Sequence, residues 1–215
     1  MKVFIPIKEN SQRVPRKNFR LIGETPLYKY VLNNLKNLDV FVDTDSDEII
    51  REIKEDKLLK NITVFKRVQS LIGDKVSVCD LIHNFIEKYN LKEEYICQVH
   101  VTSPFINEAL LRKAFEKTSC KYDSVVSCNE IQSRFWRKEK YGYAPINHNP
   151  MKLEQTQDLP VYYEENAAFY IFQSDSFRKT KNRIGACPYF YPIKFPLNLD
   201  IDTEDDWELV SRILN

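Results

Sequence analysis

Residues 8–17 carry four cations, Lys8, Arg13, Arg16 and Lys17, interleaved with Ser11 and Gln12 and followed by Asn18. Cations, hydroxyls, amides and backbone N–H groups gathered in one loop make a cradle for a polyphosphate. The loop follows a short apolar run, residues 3–7, that reads as a buried strand. Open α/β sheets bind nucleotides in loops leaving the carboxyl ends of their strands. The plain alternative is a solvated basic turn.

A second group lies near the other end of the chain. Asp200 and Asp202 are two apart in the run LNLDID, so on an extended segment their carboxylates share one side. Two converging carboxylates suit Mg²⁺, which prefers oxygen ligands and often shares them with substrate phosphates. The alternative is an acidic turn capping a last helix. Asp202 or Thr203 would then be the N-cap, with Glu204, Asp205 and Asp206 favoured by the helix dipole. A basic loop joined to an aspartate pair points to nucleotidyl transfer. The G-x-x-x-x-G-K-[ST] loop, G-x-G-x-x-G and G-x-S-x-G are all absent, which excludes a standard P-loop ATPase, a typical dinucleotide binder and a serine hydrolase.

The elements that must position these groups alternate. Strands are expected over 3–7, 40–42, 62–65, 95–99 and 124–128, and helices over 26–38, 46–59, 76–90 and 107–118. In the third helix Val78, Leu81, Ile82, Phe85, Ile86 and Tyr89 form a core-facing stripe, and Asn107 is placed to cap the fourth. This alternation predicts a mostly parallel sheet covered on both faces. Residues 131–163 break the pattern and are too long for an ordinary connection. A substrate lid and an oligomer contact are the two readings. Strands return at 167–172, 190–193 and 197–201, and an amphipathic helix closes the chain over 204–214.

Composition narrows the partners. The 215 residues suit one domain, 1–215, and 32 Lys+Arg against 31 Asp+Glu leave a net charge of +1, with no global field for nucleic acid. The run at 179–183 reads as a solvated turn. No segment approaches the ~20 apolar residues of a membrane span. The start reads as a strand rather than a secretory leader, so the cytoplasm is the expected location. Five dispersed cysteines form no C-x-x-C pair, and His83, His100 and His148 lack metal-ligand spacing. Cys97 and Cys128, in apolar runs, are expected as buried thiols.

Seven segments, in order, resemble the CMP-sugar synthetases, the cytidylyltransferases that activate sialic acids, other nonulosonic acids and 3-deoxy-octulosonic acid. IPIKENSQRVPRKN is similar to their opening I-P-A-R-x-x-S-K-x-x-P-x-K-N, VFVDTDSDEI to S-T-D-x-x-x-I and KRVQSLIGDKVS to R-P-x-x-L-x-x-D-x-x-S. QVHVTSPF is similar to Q-P-T-S-P, DSVVSC to D-S-V-x-S-V, LPVYYEENAAFYIF to L-P-x-x-Y-x-E-N-G-A-x-Y-x-F and DIDTEDDW to D-I-D-T-x-x-D-W.

The resemblance implies a three-layer, Rossmann-like α/β nucleotidyltransferase with a mainly parallel, mixed sheet and a dimerisation insertion at about 131–166. It implies Mg²⁺-dependent attack of a sugar acid's anomeric hydroxyl on the α-phosphorus of CTP, releasing pyrophosphate. Its partners would be CTP, an acidic sugar and a second copy of the chain, with no nucleic acid or membrane. Lys8, Ser11, Gln12, Arg13, Lys17, Asn18, Arg67, Asp74 and Ser77 are the implied nucleotide residues. Asp200 and Asp202 are the implied metal ligands, and Lys17 and Asp202 the catalytic pair. His100, Thr102, Ser103, Glu165 and Asn166 fall where the acceptor is expected, with His100 alternatively structural. Arg134, Trp136, Arg137 and Lys152 either meet the acceptor's carboxylate or rim the dimer contact.

Several residues depart from the family pattern. Lys8 replaces an arginine and loses its bidentate fork. Gln12 replaces a lysine, which Arg13 can offset. His100, Val101 and Ile106 replace a glutamine, a proline and a basic residue. These last three lie on the acceptor side and leave the acceptor open: a nonulosonic acid, a sugar phosphate or another capsule precursor. A catalytically silent nucleotide binder is the remaining alternative.

Overall fold

The computed structural model describes residues 1–11, 14–119 and 121–214. Its centre is a seven-stranded sheet built on β1 (Lys2–Ile7). β1 is flanked by β4 (Asp39–Thr44) and β6 (Tyr95–Val99), with β5 (Thr63–Lys66) outside β4. Beyond β6 come β10 (Tyr162–Gln173), β7 (Ser124–Ile131) and β11 (Pro188–Pro192). β10 is antiparallel to β6 and β7, and the other neighbouring pairs of this sheet are parallel. Two small ribbons stand apart: β2 (Leu21–Ile22) with β3 (Thr25–Pro26), and β8 (Trp136–Glu139) with β9 (Gly142–Pro145).

Strands buried on both faces need continuous apolar runs, and β1 supplies one. Val3, Ile5 and Ile7 pack with Tyr28, Val31, Leu32 and Leu35 of α1 (Leu27–Leu35), while Phe4 faces the opposite layer. There it stacks on Phe85 of α3 (Val78–Lys88) at 4.7 Å between centroids. The helices α2 (Asp47–Glu55) and α4 (Glu108–Phe115) begin at Ser46 and Asn107, whose side chains accept from Ile49 N and Leu110 N. Ser77 and Asp80 cap α3 reciprocally. The layers thus follow the expected alternation, with strand and helix ends shifted by a few residues.

Three departures matter for function. Residues 197–201 are not a strand: turn bonds from Leu197 N to Lys194 O and Leu199 N to Pro196 O fold the segment. Among the described residues its backbone–backbone tie to the body is one bond, Ile201 N to Thr102 O at 2.9 Å, so no ladder forms. Side chains add Lys17 to Ile201 O and Asn198 Nδ2 to Asn129 Oδ1 at 3.0 Å. A short helix, α5 (Ser174–Thr180), precedes β11 where none was expected. The irregular 131–163 segment contains the β8–β9 hairpin and runs into β10, whose strand starts at Tyr162. α6 (Glu204–Leu214) closes the chain, burying Trp207 and Val210 against Ile22, Leu27 and Ile201.

β10 is bulged between Glu165 and Tyr170, where its register against β7 shifts. Ala167 sits in the bulge with φ 58°, a left-handed conformation that costs an L-residue about 1–2 kcal/mol. The similar family motif has glycine at this position. Asn166 Oδ1 accepts from Ala168 N at 3.3 Å, and Ser127 Oγ accepts from Phe169 N at 3.0 Å. These bonds hold the kink that turns Asn166 out of the ladder. Ala167→Gly is expected to stabilise the fold by about 1 kcal/mol, less the entropy a glycine adds to the unfolded chain. Urea unfolding measures it, and a destabilised variant would show that the bulge holds Ala167 without strain.

Candidate functional site

The carboxyl ends of β1, β5 and β6 open into a cavity of about 330 Å³. Lys8, Ser11, Lys17 and Asn18 line it from the loop after β1, and Arg67 and Asp74 from the segment after β5. His100 and Thr102 close it from the segment after β6, with Val78 and Leu81 of α3 as its apolar wall. The structure therefore gathers eight of the sequence-derived site residues around one space. Gln12 and Arg13 lie outside the described residues.

Lys17 is the junction of this arrangement. The turn Lys17–Phe19 buries it to 8% exposure, and its ammonium donates to Ile201 O while facing Asp202 Oδ1 at 3.7 Å. The capping alternatives are resolved at the same place. Thr203 Oγ1 accepts from Asp206 N at 3.2 Å, and Asp206 Oδ2 accepts from Thr203 N and Asp202 N. Thr203 and Asp206 cap α6, so the Asp202 carboxylate is not needed for the helix end.

Asp200 lies beside Asp202 and hydrogen-bonds Thr102. Burial raises its carboxyl above the usual range; Thr102 opposes this, Asp202 adds to it and Lys17 lowers it. Asp200 Oδ1 is buried without a hydrogen-bond partner among the described residues. A buried orphaned carboxylate oxygen beside a second carboxylate fits a hard cation. Among the described residues no cluster of three or more His, Cys, Asp or Glu groups joins to make a closed metal cage.

Across the cavity Arg67, 3% exposed, pairs through Nε with the carboxylate of buried Asp43 and donates from Nη2 to Ile7 O at 3.3 Å. Burial pushes Asp43 up and the guanidinium opposes it. Lys8 Nζ donates to Gly73 O at 3.3 Å and faces Asp74 at 3.8 Å. Asn18 Nδ2 donates to Lys8 O at 2.7 Å, and its buried Oδ1 has no partner among the described residues. Arg16 turns away to Glu48 at 3.2 Å.

The other candidates sit around this centre. Ser77 is committed to the α3 cap, its hydroxyl donating to Asp80 at 2.8 Å. Ser103 is fully buried with its Oγ unpartnered. Glu165 accepts from Tyr170 OH at 3.0 Å, and Asn166 Nδ2 donates to Asn129 Oδ1 at 3.2 Å. Arg134 donates to Glu154 O, Arg137 pairs with Glu139 at 2.6 Å and Lys152 with Glu154 at 3.8 Å, so these cations are engaged within their own segment.

Sequence reasoning missed Asp43, Gln98, Tyr170 and Arg183. The solvated turn expected at 179–183 is overturned at Arg183. Its guanidinium lies 3.6 Å from the Tyr170 ring centroid and Nη1 donates to Gln98 Oε1 at 2.5 Å. The available signal was Gln98 itself, a polar residue inside the apolar run YICQV.

Compared with known proteins, residues 3–212 match the cytidylyltransferase family. The chain is 29% identical over 213 residues to the N-acylneuraminate cytidylyltransferase of Streptococcus agalactiae, covering 94% of this chain and 50% of that protein. It spans about half the length of the curated relatives of that kind. It is 26% identical over 223 residues to the pseudaminic acid cytidylyltransferase of Campylobacter jejuni, covering 96% of this chain and 93% of that protein. The crystal structure of 4-diphosphocytidyl-2C-methyl-D-erythritol synthase shares the fold with a TM-score of 0.68 at 13% identity, over 100% of this chain and 98% of that one.

Burial pushes the His100 imidazole down to about 4, aided by the nearby cations Arg183 and Lys17 and opposed by Asp202. His100 is therefore neutral across pH 5.5–8. Its folded pKa lies below the unfolded value, so its contribution to stability is complete above about pH 6.5. That contribution falls away as pH drops toward 4, by on the order of 1–2 kcal/mol at pH 5. Histidine NMR titration should leave the His100 ring signals unshifted from pH 8 to 5.5; a midpoint near 6.5 would contradict the site's electrostatics.

Proposed function

The chain belongs to the cytidylyltransferase family, and from that premise we propose that it transfers CMP from CTP to a nonulosonic acid, a nine-carbon 2-keto sugar acid. The observation that carries the reading is the junction at Lys17, which joins the basic loop to Asp202 beside the orphaned oxygen of Asp200. Lys17 lines the cavity and faces Asp202, which supports a phosphate and a cation meeting at that end. The relatives named above act, by their names, on N-acylneuraminate and pseudaminic acid, both of this acceptor class.

In this reading Lys8, Ser11, Gln12, Arg13, Lys17 and Asn18 hold the nucleotide, with Arg67 and Asp74 opposite and Ser77 fixing the helix beside them. The acceptor's anomeric oxygen attacks the α-phosphorus. The bond to the β-phosphate's bridging oxygen breaks, and pyrophosphate leaves with the electron pair. Lys17 neutralises charge that builds on the phosphates, and Asp202 receives the hydroxyl proton. Asp200 and Asp202 would hold Mg²⁺, which when bound supplies charge neutralisation on phosphate oxygens. Positioning and charge carry most of the catalysis in such transfers. His100, Thr102, Ser103, Glu165 and Asn166 border the acceptor.

Two further parts follow. The segment at about 131–166 exposes Trp136, Tyr141, Tyr143, Met151 and Leu153, with Tyr141, Met151 and Leu153 about nine-tenths exposed. An apolar group of that extent favours cover by another protein surface, here a second copy of the chain. No helix among the described residues is long and apolar enough to cross a membrane. A CTP-consuming reaction that prepares an activated sugar acid fits the cytoplasm and feeds surface-glycan synthesis.

Pyrophosphate release with Mg²⁺, each nucleoside triphosphate and a panel of nonulosonic acids tests the reading. CTP with one acid should give turnover, lost on chelation and restored by Mg²⁺; silence across the panel would refute it. Lys17→Ala and Asp202→Asn should each lower kcat by at least about a hundredfold with circular dichroism unchanged. Full turnover in both would remove the junction from the chemistry. Sedimentation velocity should give a dimer that Met151→Asp and Leu153→Asp together weaken.

A further inference from the structure

Arg183 is a cation that nucleotide binding leaves unused. It reaches the edge of the site from the segment between α5 and β11. Tyr170 and Gln98 are directly paired across the β10–β6 ladder, and the guanidinium lies over one and donates to the other. Gln98 is fully buried, and its Nε2 has no hydrogen-bond partner among the described residues. The Nε2 of His100, two residues along, is also buried and unpartnered. Among the described residues no carboxylate pairs with Arg183. A stacked guanidinium that also hydrogen-bonds Tyr170 and the Gln98 amide keeps further N–H groups, since it has five, and its planar fork suits a carboxylate.

Its position fits one part of the acceptor. In a 2-keto sugar acid the carboxylate sits on the anomeric carbon, the same carbon that bears the attacking oxygen. A cation for that carboxylate must therefore stand near Asp202 and the phosphate-binding groups. Gln98, which Arg183 holds, stands two residues before His100, a residue lining the cavity. His100 feels the charges of Lys17, Asp202 and Arg183 alike, so Arg183 stands at the His100 end of the cavity.

We propose that Arg183, fixed on Tyr170 and positioned by Gln98, is the residue that binds the acceptor's carboxylate, with the buried amide of Gln98 as a second donor. This rests on the nonulosonic-acid reading above. It also accounts for a polar side chain inside a strand that otherwise needs only apolar ones: Gln98 orients the guanidinium rather than filling the core.

The test measures pyrophosphate release at saturating CTP, with the best acid of the panel and with its C1 methyl ester. Wild type should prefer the acid. Arg183→Ala should raise KM for the acid by about 10–100-fold, the cost of a lost charged hydrogen bond, while KM for CTP changes by less than about threefold. The acid and ester should then become near-equal substrates. Arg183→Lys should recover part of the preference, and Gln98→Leu should weaken it in the same direction with KM for CTP held. These two variants keep the test open should Arg183→Ala fail to fold. An unchanged acid-to-ester ratio in folded Arg183→Ala, or equal losses toward acid and CTP, would overturn the assignment while leaving CMP transfer intact. If wild type neither turns over nor binds N-acetylneuraminic or pseudaminic acid in a titration of CTP-loaded protein, the acceptor reading fails and the assignment with it.

Discussion

The site depends on one buried ammonium. Lys17 starts the short turn after the basic loop, yet its partners come from the far end of the chain, the carbonyl of Ile201 and the carboxylate of Asp202. A lysine 8% exposed is costly to hold unless its donors are met. Meeting them fixes the 200–202 segment against the first loop. The bond from Ile201 N to Thr102 O then pins that segment to the end of β6. Three loops from distant parts of the sequence become one rim, although no ladder joins them.

A similar economy governs the opposite wall. Arg67 and Asp43 form an almost fully buried ion pair, and such pairs return little net stability because desolvation offsets their attraction. Losing one partner is far more damaging than never having had either. The pair's effect is positional: Arg67 also reaches Ile7 O and Asp43 O, tying the carboxyl ends of β1 and β4 beneath the cavity. Stability comes instead from the apolar layers, where Phe4, Phe41, Phe65 and Phe85 pack between sheet and α3. The rigid sheet lets the rim carry charges that would be unfavourable on a mobile loop.

Several polar atoms without partners lie where that rim encloses space. Among the described residues Asn18 and His100, which line the cavity, carry a buried oxygen or nitrogen without a partner. So do Asp43 and Asp200, which bond the lining residues Arg67 and Thr102. Asn33, Gln98, Ser103, Asn198 and Ser211 do so elsewhere. A folded protein ordinarily satisfies such groups. Those at the cavity leave polar atoms free to meet a polar ligand, while the bulge at Ala167 takes Asn166 out of the ladder and onto Asn129.

Much of this was written locally. The apolar run of β1, the stripe of α3 and the caps at Ser46, Ser77 and Asn107 depend on neighbours within a turn or a strand, so sequence alone determined them. The basic loop and the aspartate pair were also legible, because their residue types and spacing sit inside short motifs. Their meeting was implied only by the family resemblance and not by local pattern, since it depends on how β1 and β6 lie side by side. Arg183 shows the limit most clearly: within its basic run it reads as solvated, and only the pairing of Tyr170 with Gln98 across two antiparallel strands gives it a place to rest. Likewise the acidic stretch at 200–206 contains two candidate caps. Only the fold, by engaging Thr203 with Asp206 and bringing Lys17 to Asp202, decided which carboxylate serves the helix and which faces the buried ammonium.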